Sequence, residues 1–93
     1  MVYATVYFNL NDPDKFEAYR SQAGTALAKH GGKVEASAKG PTVLDTALPG
    51  PSVAAVLSFP TREAALAWHA DPELQDVHAL RNGAGESSIL LVG

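Results

Sequence analysis

Alternating apolar and polar positions along the chain predict four β-strands. The first covers Val2–Leu10, where β-branched and aromatic residues follow one another and where Tyr3, Thr5 and Tyr7 share one side. The other predicted strands are Lys33–Lys39, residues 52–59 and residues 87–92. The second carries lysines and a glutamate, which is typical of a solvated edge strand, whereas the third and fourth are apolar on both faces.

Apolar residues recur with a helical period between the first two strands, and this spacing predicts an amphipathic helix there. Asp12 is the expected N-cap and Pro13 fits the first helical position. The pair Gly31 and Gly32 is expected to end this helix after about four turns. The apolar stripe of the helix is predicted to contain Phe16, Tyr19, Ala23, Ala26, Leu27 and His30.

The segment after the third strand predicts two helical pieces. Thr61 is the expected cap of a helix over Arg62–Ala70. Pro72 disfavours helical geometry at Asp71, whose side chain can cap a new helix over residues 72–82. The glycines that follow are expected to end this second piece before the last strand.

The predicted order is strand, helix, strand, strand, helix, strand, which is the split βαβ pattern of the ferredoxin-like α+β fold. It places a four-stranded antiparallel sheet beneath helices on one face, in a single domain over residues 1–93. The connection over residues 41–51 is rich in turn residues, with a short extended piece predicted at 43–48.

The face of the sheet away from the helices is predicted to be apolar. It should carry Tyr3, Thr5 and Tyr7 together with alternate residues of two strands that have no polar side. A sheet face in water normally shows polar residues, so this face is expected to be covered by a second copy of the chain, giving a homodimer. The alternative is a monomer whose face is exposed or covered by residues 41–51.

Composition and charge narrow the function classes. Apolar residues make up 46% of the chain and charged residues 18%, with a net charge of −3 and no basic cluster, so nucleic acid is not an expected partner. The chain has no cysteine, and its three histidines show no metal-ligand spacing, which leaves no predicted metal site. With no signal-peptide pattern and no membrane-length apolar run, a soluble cytoplasmic protein is expected.

An arginine occupies the predicted buried stripe of the last helix. Arg81 lies within that stripe, and His78 lies at its margin. The other members of the stripe are Leu74, Val77, Leu80 and Ala84. A buried guanidinium needs an anion, a carbonyl or an aromatic face, so Arg81 either clamps an anionic or carbonyl ligand or pairs internally with a carboxylate such as Asp71 or Glu86. In a third interpretation, the aliphatic part of the Arg81 side chain is buried while its guanidinium group reaches water.

The histidines admit both structural and catalytic interpretations. His69 follows Trp68 on a helix that is apolar nearly all round, and histidine is the usual general acid or base near neutral pH. Its alternative role is that of a packed or rim residue. His30 shares the stripe of the first helix with Tyr19, and a cationic histidine at a helix C-terminus is also favourable in itself.

Three segments, residues 16–34, 59–81 and 89–93, resemble the domain-of-unknown-function 1330 family of small bacterial proteins. The matching positions are Tyr19, Gly31, Gly32, Pro60, Ala65, Trp68, Pro72 and Arg81. The resemblance implies a ferredoxin-like chain that pairs into a dimeric α/β barrel, a superfamily that also includes cofactor-free monooxygenases, muconolactone-type isomerases and haem enzymes. His69 and Leu74 depart from the pattern, since the family usually has tyrosines there.

The expected function is binding of a small apolar or aromatic carbonyl or carboxylate compound in a cleft between sheet and helices. Cofactor-free proton transfer is the expected chemistry, of isomerase, cyclase or monooxygenase type, and the alternative is a non-catalytic accessory dimer. The predicted catalytic residues are His69, Arg81 and His78. The predicted ligand-binding residues are Tyr19, Trp68, Tyr3, Tyr7 and His30.

Overall fold

A computed structural model describes residues 1–45 and 51–93 of the chain. Its strands are β1 (Val2–Leu10), β2 (Lys33–Lys39), β3 (Val53–Phe59) and β4 (Gly85–Val92). Its helices are α1 (Pro13–Ala28), α2 (Arg62–Ala70), a short 3₁₀ helix (Pro72–Leu74) and α3 (Gln75–Ala84). The extended piece predicted at 43–48 and the covering segment predicted at 41–51 include residues 46–50, which lie outside the described residues.

The four strands form one antiparallel sheet in the order β2-β3-β1-β4. Tyr3 of β1 stands opposite Ser58 of β3 and Val92 of β4, which fixes the register on both sides of the first strand. The helices pack on one face of this sheet. The predicted ferredoxin-like α+β architecture, with β2 at an edge, is therefore confirmed, and β1 and β3 are the two inner strands.

Three predicted side-chain caps begin the helical segments. The Asp12 carboxylate accepts hydrogen bonds from the backbone N–H groups of Asp14 and Lys15, both at 3.1 Å. The Thr61 hydroxyl accepts a hydrogen bond from the N–H of Ala64 at 3.1 Å, and the Asp71 carboxylate accepts one from the N–H of Glu73 at 2.8 Å. Each cap satisfies backbone donors that the first turn leaves without partners.

The boundaries near the C-terminus differ from the predicted ones. The piece predicted over residues 72–82 is a 3₁₀ helix followed by α3, which continues through Gly83 to Ala84. β4 then begins at Gly85, two residues before its predicted start. A Cβ at Gly85 would overlap the Asn9 carbonyl oxygen, so the close pairing of β4 with β1 requires glycine there and turns the chain directly from helix into strand.

The glycine pair after α1 has two separate roles. Gly31 has a φ of +73°, the left-handed conformation that ends many helices, and the Gly32 N–H donates to the Leu27 carbonyl at 2.8 Å. A Cβ at Gly32 would lie 2.6 Å from Cε1 of Phe59. The first glycine therefore allows the turn, and the second lets the start of β2 pass close to the core.

The core lies between the sheet and the helices. Its buried members in the largest cluster are Ala4, Ala26, Leu27, Leu57, Phe59, Ala65, Trp68, Leu74 and Val77. A smaller cluster, formed by Phe8, Phe16 and Ala84, lies at the other end of β1. Together the clusters hold α1, α2 and α3 against one face of the sheet and position the side chains described below.

The opposite face of the sheet, called here the open face, presents several exposed apolar side chains in the single chain. Tyr3 is 45% exposed, Leu90 65% and Val92 56%, and Val56 lies beside them on β3. The exposed polar residues Thr5, Ser88 and Glu86 lie on the same face. In the described part of the chain, no helix combines the length and apolar character that crossing a membrane requires.

Candidate functional site

Arg81 lies at the centre of an aromatic and histidine cluster between the helices. Its side chain is only 4% exposed, and its Cζ atom lies 5.7 Å from the ring centroids of both Tyr19 and Trp68. Tyr19 comes from α1, Trp68 from α2 and Arg81 from α3. Stacking on two aromatic faces stabilises a guanidinium that water scarcely reaches.

His78 connects Arg81 to the backbone of α2. Arg81 Nη1 donates to His78 Nδ1 over 3.0 Å, and His78 Nε2 lies 3.1 Å from the Trp68 carbonyl oxygen. Because a guanidinium can only donate, Nδ1 must be unprotonated, and Nε2 then carries the hydrogen that the carbonyl accepts. Burial lowers the pKa of His78, and the nearby Arg81 and His69 charges lower it further.

The charge of Arg81 has no acidic partner in the described part of the chain. None of the ion pairs within residues 1–45 and 51–93 involves it. The Nε of Arg81 and the Nε1 of Trp68 are also buried without a hydrogen-bond acceptor. A buried donor without an acceptor costs about 1–3 kcal/mol, and each of these two neighbouring residues carries one such N–H group.

The internal carboxylates that could have neutralised Arg81 lie elsewhere. Asp71 Oδ2 accepts from Lys29 Nζ at 2.7 Å and from His30 Nε2 at 2.8 Å. These contacts hold the pKa of the Asp71 carboxyl far below its usual range. Glu86 is exposed on β4 in register with Asn9, on the open face.

The first of two cavities beside the cluster lies between α2, α3 and the β1–β4 side of the sheet. Its volume is about 320 Å³, and it is called here the Trp68 cavity. Trp68, His69, Arg81 and Asn82 line it together with apolar residues of the sheet. His69 is exposed, and its ring centroid lies 5.6 Å from that of His78. A cation, an imidazole and an indole therefore border the same space.

The second cavity lies beneath α1 and is called here the α1 cavity. Its volume is about 390 Å³, and its walls come from α1, β2 and β3, with Tyr19 among them. Arg81 is the single described residue that lines both cavities. Gly24 of α1 also lines this second space, a position that sequence reasoning missed because its signal was merely a glycine inside a helical pattern.

Four of the predicted site residues, Arg81 included, form the buried cluster, and a fifth lines the Trp68 cavity from an exposed position. The four are Arg81, His78, Trp68 and Tyr19, and the fifth is His69. The remaining three predicted residues lie elsewhere in the chain.

His30 is not part of this cluster. Its Nε2 bonds to Asp71, which ties the end of α1 to the junction between α2 and the 3₁₀ helix. The predicted role of His30 in a ligand cleft is therefore replaced by a structural one. An acidic partner 41 positions later in the chain was not visible in the local pattern.

Tyr3 and Tyr7 also lie outside the cleft between sheet and helices. The alternation of β1 places them on the open face, because their partners Ser58 and Ala54 stand on that side while Ala4 and Phe8 are buried beneath the helices. The prediction that these tyrosines line the same cleft as Trp68 is wrong for the single chain.

No metal centre accompanies the cluster in the part of the chain that is described. Within residues 1–45 and 51–93, no three histidine or acidic side chains come close enough to ligate an ion. The donors available to a ligand at this site are N–H groups of arginine, indole and imidazole. Such a set recognises oxygen acceptors, and above all carboxylate or carbonyl oxygens.

Comparison with known proteins extends these observations. The family model described as domain of unknown function (DUF1330) matches residues 1–93. No match is found among curated proteins. A crystal structure of a protein of unknown function from Rhodopseudomonas palustris is 16% identical with a TM-score of 0.75, over 98% of this chain and 79% of that one.

Two further solved structures share the architecture. A dimeric ferredoxin-like protein of unknown function from Jannaschia sp. CCS1 is 11% identical with a TM-score of 0.72, over 99% of this chain and 97% of that one. An antibiotic biosynthesis monooxygenase is 13% identical with a TM-score of 0.57, over 100% and 97%. At these identities the likeness shows the fold alone.

Proposed function

This chain belongs to the DUF1330 family, whose description records no function, and from its own site we propose that it binds a small organic anion or carbonyl compound. The ligand is apolar or aromatic apart from its oxygen groups, and it occupies the Trp68 cavity with an oxygen on Arg81. The chain acts as a homodimer. The buried guanidinium, which has no acidic partner among the residues that the structure describes, is the observation that carries the proposal.

A buried cation of this kind favours an anionic ligand. Retaining an uncompensated charge in a small core is unfavourable, and a bound carboxylate would offset that cost while accepting hydrogen bonds from the guanidinium. The cavity volume of about 320 Å³ lies within the usual range for small-molecule sites, at its lower end.

His69 is the proposed proton acceptor and donor of this site. It borders the same cavity as Arg81, so an oxygen bound by the guanidinium brings the neighbouring carbon of the ligand towards the imidazole. The imidazole removes a proton from that carbon and returns it to another position of the same molecule. Arg81 stabilises the enolate oxygen formed in between, and such an isomerisation needs no cofactor.

The likeness to an antibiotic biosynthesis monooxygenase supports small-molecule chemistry on this fold. That support is an analogy of fold, and the function is argued from the site.

A homodimer is proposed from the exposed apolar side chains of the open face. Leu90, Val92, Val56 and Tyr3 are exposed on this face across three strands, and exposed apolar patches mark interfaces. The structurally similar protein from Jannaschia is described as dimeric. The ligand cavities lie on the other side of the sheet, so pairing through the open face leaves them accessible.

Binding of benzoate and phenylacetate, compared with benzamide and benzyl alcohol, tests the proposal. The chain has one tryptophan, so its fluorescence reports from the Trp68 cavity itself. We expect the acids to bind more tightly than the neutral analogues. Arg81→Met should weaken acid binding about 10- to 100-fold, because it removes one or two charge-assisted hydrogen bonds. Arg62→Met, which removes an exposed arginine of α2, should bind as the wild type does.

Two outcomes contradict the proposal. One is equal affinity of the wild type and Arg81→Met for the acids, and the other is failure of every acid and neutral analogue to bind at millimolar concentrations. The second would favour the non-catalytic alternative, in which stacking of Arg81 on Tyr19 and Trp68 serves packing alone.

A further inference from the structure

The α1 cavity is larger than the Trp68 cavity and has a more continuous apolar wall. Its volume is about 390 Å³, within the range of small-molecule sites. Apolar side chains from α1 and from the sheet form most of that wall, among them Phe16, Leu27, Leu57 and Val34 of the edge strand β2. The ligand-binding proposal above makes no use of this space.

Gly24 lies at the exposed rim of this cavity on α1. It lies in the middle of a 16-residue helix, where glycine is destabilising relative to alanine, and it lines the cavity. A Cβ built on Gly24 meets no atom within 4 Å, so packing does not require glycine at this position. A larger side chain at position 24 would enter unoccupied space at the cavity.

A second, independent feature of the α1 cavity is its charged wall. Arg81, which is only 4% exposed, also lines this cavity, and its buried Nε has no acceptor among the described residues. Arg20 and Lys39 also line the cavity, and both contact the Glu17 carboxylate, at 3.3 and 3.9 Å. The cavity therefore combines apolar walls with an excess of positive charge, which is complementary to an amphipathic anion.

We infer that the α1 cavity binds the aliphatic chain of a medium-length carboxylic acid whose carboxylate lies on Arg81, with Gly24 leaving room for the chain. The inference rests on the proposed function, because it takes the Arg81 guanidinium as the anchor of the ligand. It adds the class of substrate: linear aliphatic acids should bind more tightly than compact acids of the same charge.

A series of straight-chain acids tests this directly. Butanoate, hexanoate and octanoate are titrated into the full chain by calorimetry, with hexan-1-ol as the uncharged control. We expect the affinity to rise about fourfold for each added methylene until the cavity is filled, since each buried methylene contributes about 0.8 kcal/mol. Hexan-1-ol should bind at least tenfold more weakly than hexanoate.

Substitutions at α1 locate the chain. Gly24→Leu should remove the gain in affinity from butanoate to octanoate. Thr25→Leu adds the same side chain at an exposed neighbouring position and should behave as the wild type. Gly24→Ala, which favours the helix and adds one carbon, should fold with a raised melting temperature and keep most of the dependence on chain length.

The outcomes separate this inference from the proposal on which it rests. Equal affinity for butanoate and octanoate in the wild type, or an unchanged chain-length dependence in folded Gly24→Leu, overturns the role of the α1 cavity. If butanoate and benzoate still bind in an Arg81-dependent manner, the proposed function stands without it. Absence of all carboxylate binding overturns both.

Discussion

Arg81 Nη1 donates a hydrogen bond to His78 Nδ1 over 3.0 Å, and this contact fixes the protonation of the histidine. The imidazole must be neutral, with its Nε2 hydrogen directed to the Trp68 carbonyl. A permanently charged residue and a neutral one are thus buried side by side. The positive charge of the cluster stays on Arg81, at the wall that the two cavities share.

The stability of the protein should decrease below about pH 6.5 because of His78. Burial lowers the pKa of His78 in the folded state, so the unfolded chain, in which histidine titrates near pH 6.5, binds the extra proton first. The free energy of unfolding should therefore fall by up to about 1.4 kcal/mol per pH unit between pH 6.5 and the lowered pKa. Urea unfolding at several pH values measures this slope.

His78→Gln is the matched control for that slope, because the glutamine amide can still accept from Arg81 and donate to a carbonyl. Its free energy of unfolding should vary less with pH between 5 and 6.5 than that of the wild type. Identical slopes in the two proteins would show that His78 is not the group responsible.

Arg81→Met should cost little stability in the absence of ligand. Methionine fills much of the same space, and the substitution removes a buried charge without an acidic partner, which offsets the lost aromatic stacking. We expect the free energy of unfolding to change by no more than about 1 kcal/mol, compared with about 2–5 kcal/mol for Leu27→Ala in the core. A loss for Arg81→Met as large as that for Leu27→Ala would assign Arg81 a structural role.

The order of elements and the helix caps were predictable from the sequence because each depends on local chemistry. Asp12, Thr61 and Asp71 cap the helices as predicted, whereas the alternation of β1 that places its tyrosines away from the helices contradicts their predicted place in the ligand cleft. The boundary between α3 and β4 was missed because it depends on how closely Gly85 approaches a neighbouring strand. Such a tertiary constraint has no local sequence signal.

Gly83 and Gly85 should respond in opposite ways to alanine. Gly83 lies within α3 with room for a Cβ at 3.4 Å from the nearest atom, so Gly83→Ala should raise the free energy of unfolding by about 0.5–1 kcal/mol. In Gly85→Ala the new Cβ overlaps the Asn9 carbonyl oxygen and separates β4 from β1. Denaturant unfolding of both variants should show a gain for the first and a clear loss for the second.

An equal effect of the two substitutions would contradict the assignment of Gly85 to a close strand approach. The comparison is internal, because the two glycines are only two positions apart and receive the same side chain.

Asp71 should be the anchor between α1 and the 3₁₀ helix. Asp71→Ala removes the acceptor of Lys29, His30 and the Glu73 N–H, and the melting temperature at pH 7 should fall by roughly 4–8 °C, as for loss of an ordinary N-cap in a small domain. Because the pKa of the Asp71 carboxyl is lowered on folding, this stabilisation is present above about pH 4 and should be lost as the pH falls further.

Calorimetric melting of Asp71→Ala at pH 7 and pH 3 checks both parts of this prediction. Glu73→Ala is the control, because Glu73 also contacts Lys29 but is largely exposed, so its loss should have little effect. A difference between the wild type and Asp71→Ala that is as large at pH 3 as at pH 7 would argue against a carboxylate anchor.

The open face should hold two chains together. Leu90→Lys places a charge on the most exposed apolar position of that face, and we expect it to shift sedimentation from twice the mass of one chain towards a single chain. Leu44→Lys, at a 96% exposed position outside the sheet, should leave the assembly unchanged. A wild-type protein that sediments as one chain at micromolar concentration and neutral pH would contradict the dimer.

The centre of the site was visible in the sequence, whereas its extent was not. The helical period placed Arg81 on a buried stripe, and an arginine there signals an unusual environment. The same period placed His30 on the stripe of α1 but could not show that Asp71 would reach it from a distant segment. Gly24 lines a cavity as a residue without a side chain, and the pattern of apolar and polar positions along the sequence does not predict cavities.

Nuclear magnetic resonance of the indole and guanidinium N–H groups tests the central claim most directly, because Trp68 Nε1 and Arg81 Nε are buried side-chain donors without acceptors among the described residues. The single tryptophan gives one indole signal, which can be followed in ¹⁵N-labelled protein during titration with hexanoate. We predict that the Arg81 Nε–H signal moves and saturates together with the indole signal, and that the indole signal of Arg81→Met stays unchanged. If neither signal moves at millimolar hexanoate, Arg81 does not anchor a carboxylate.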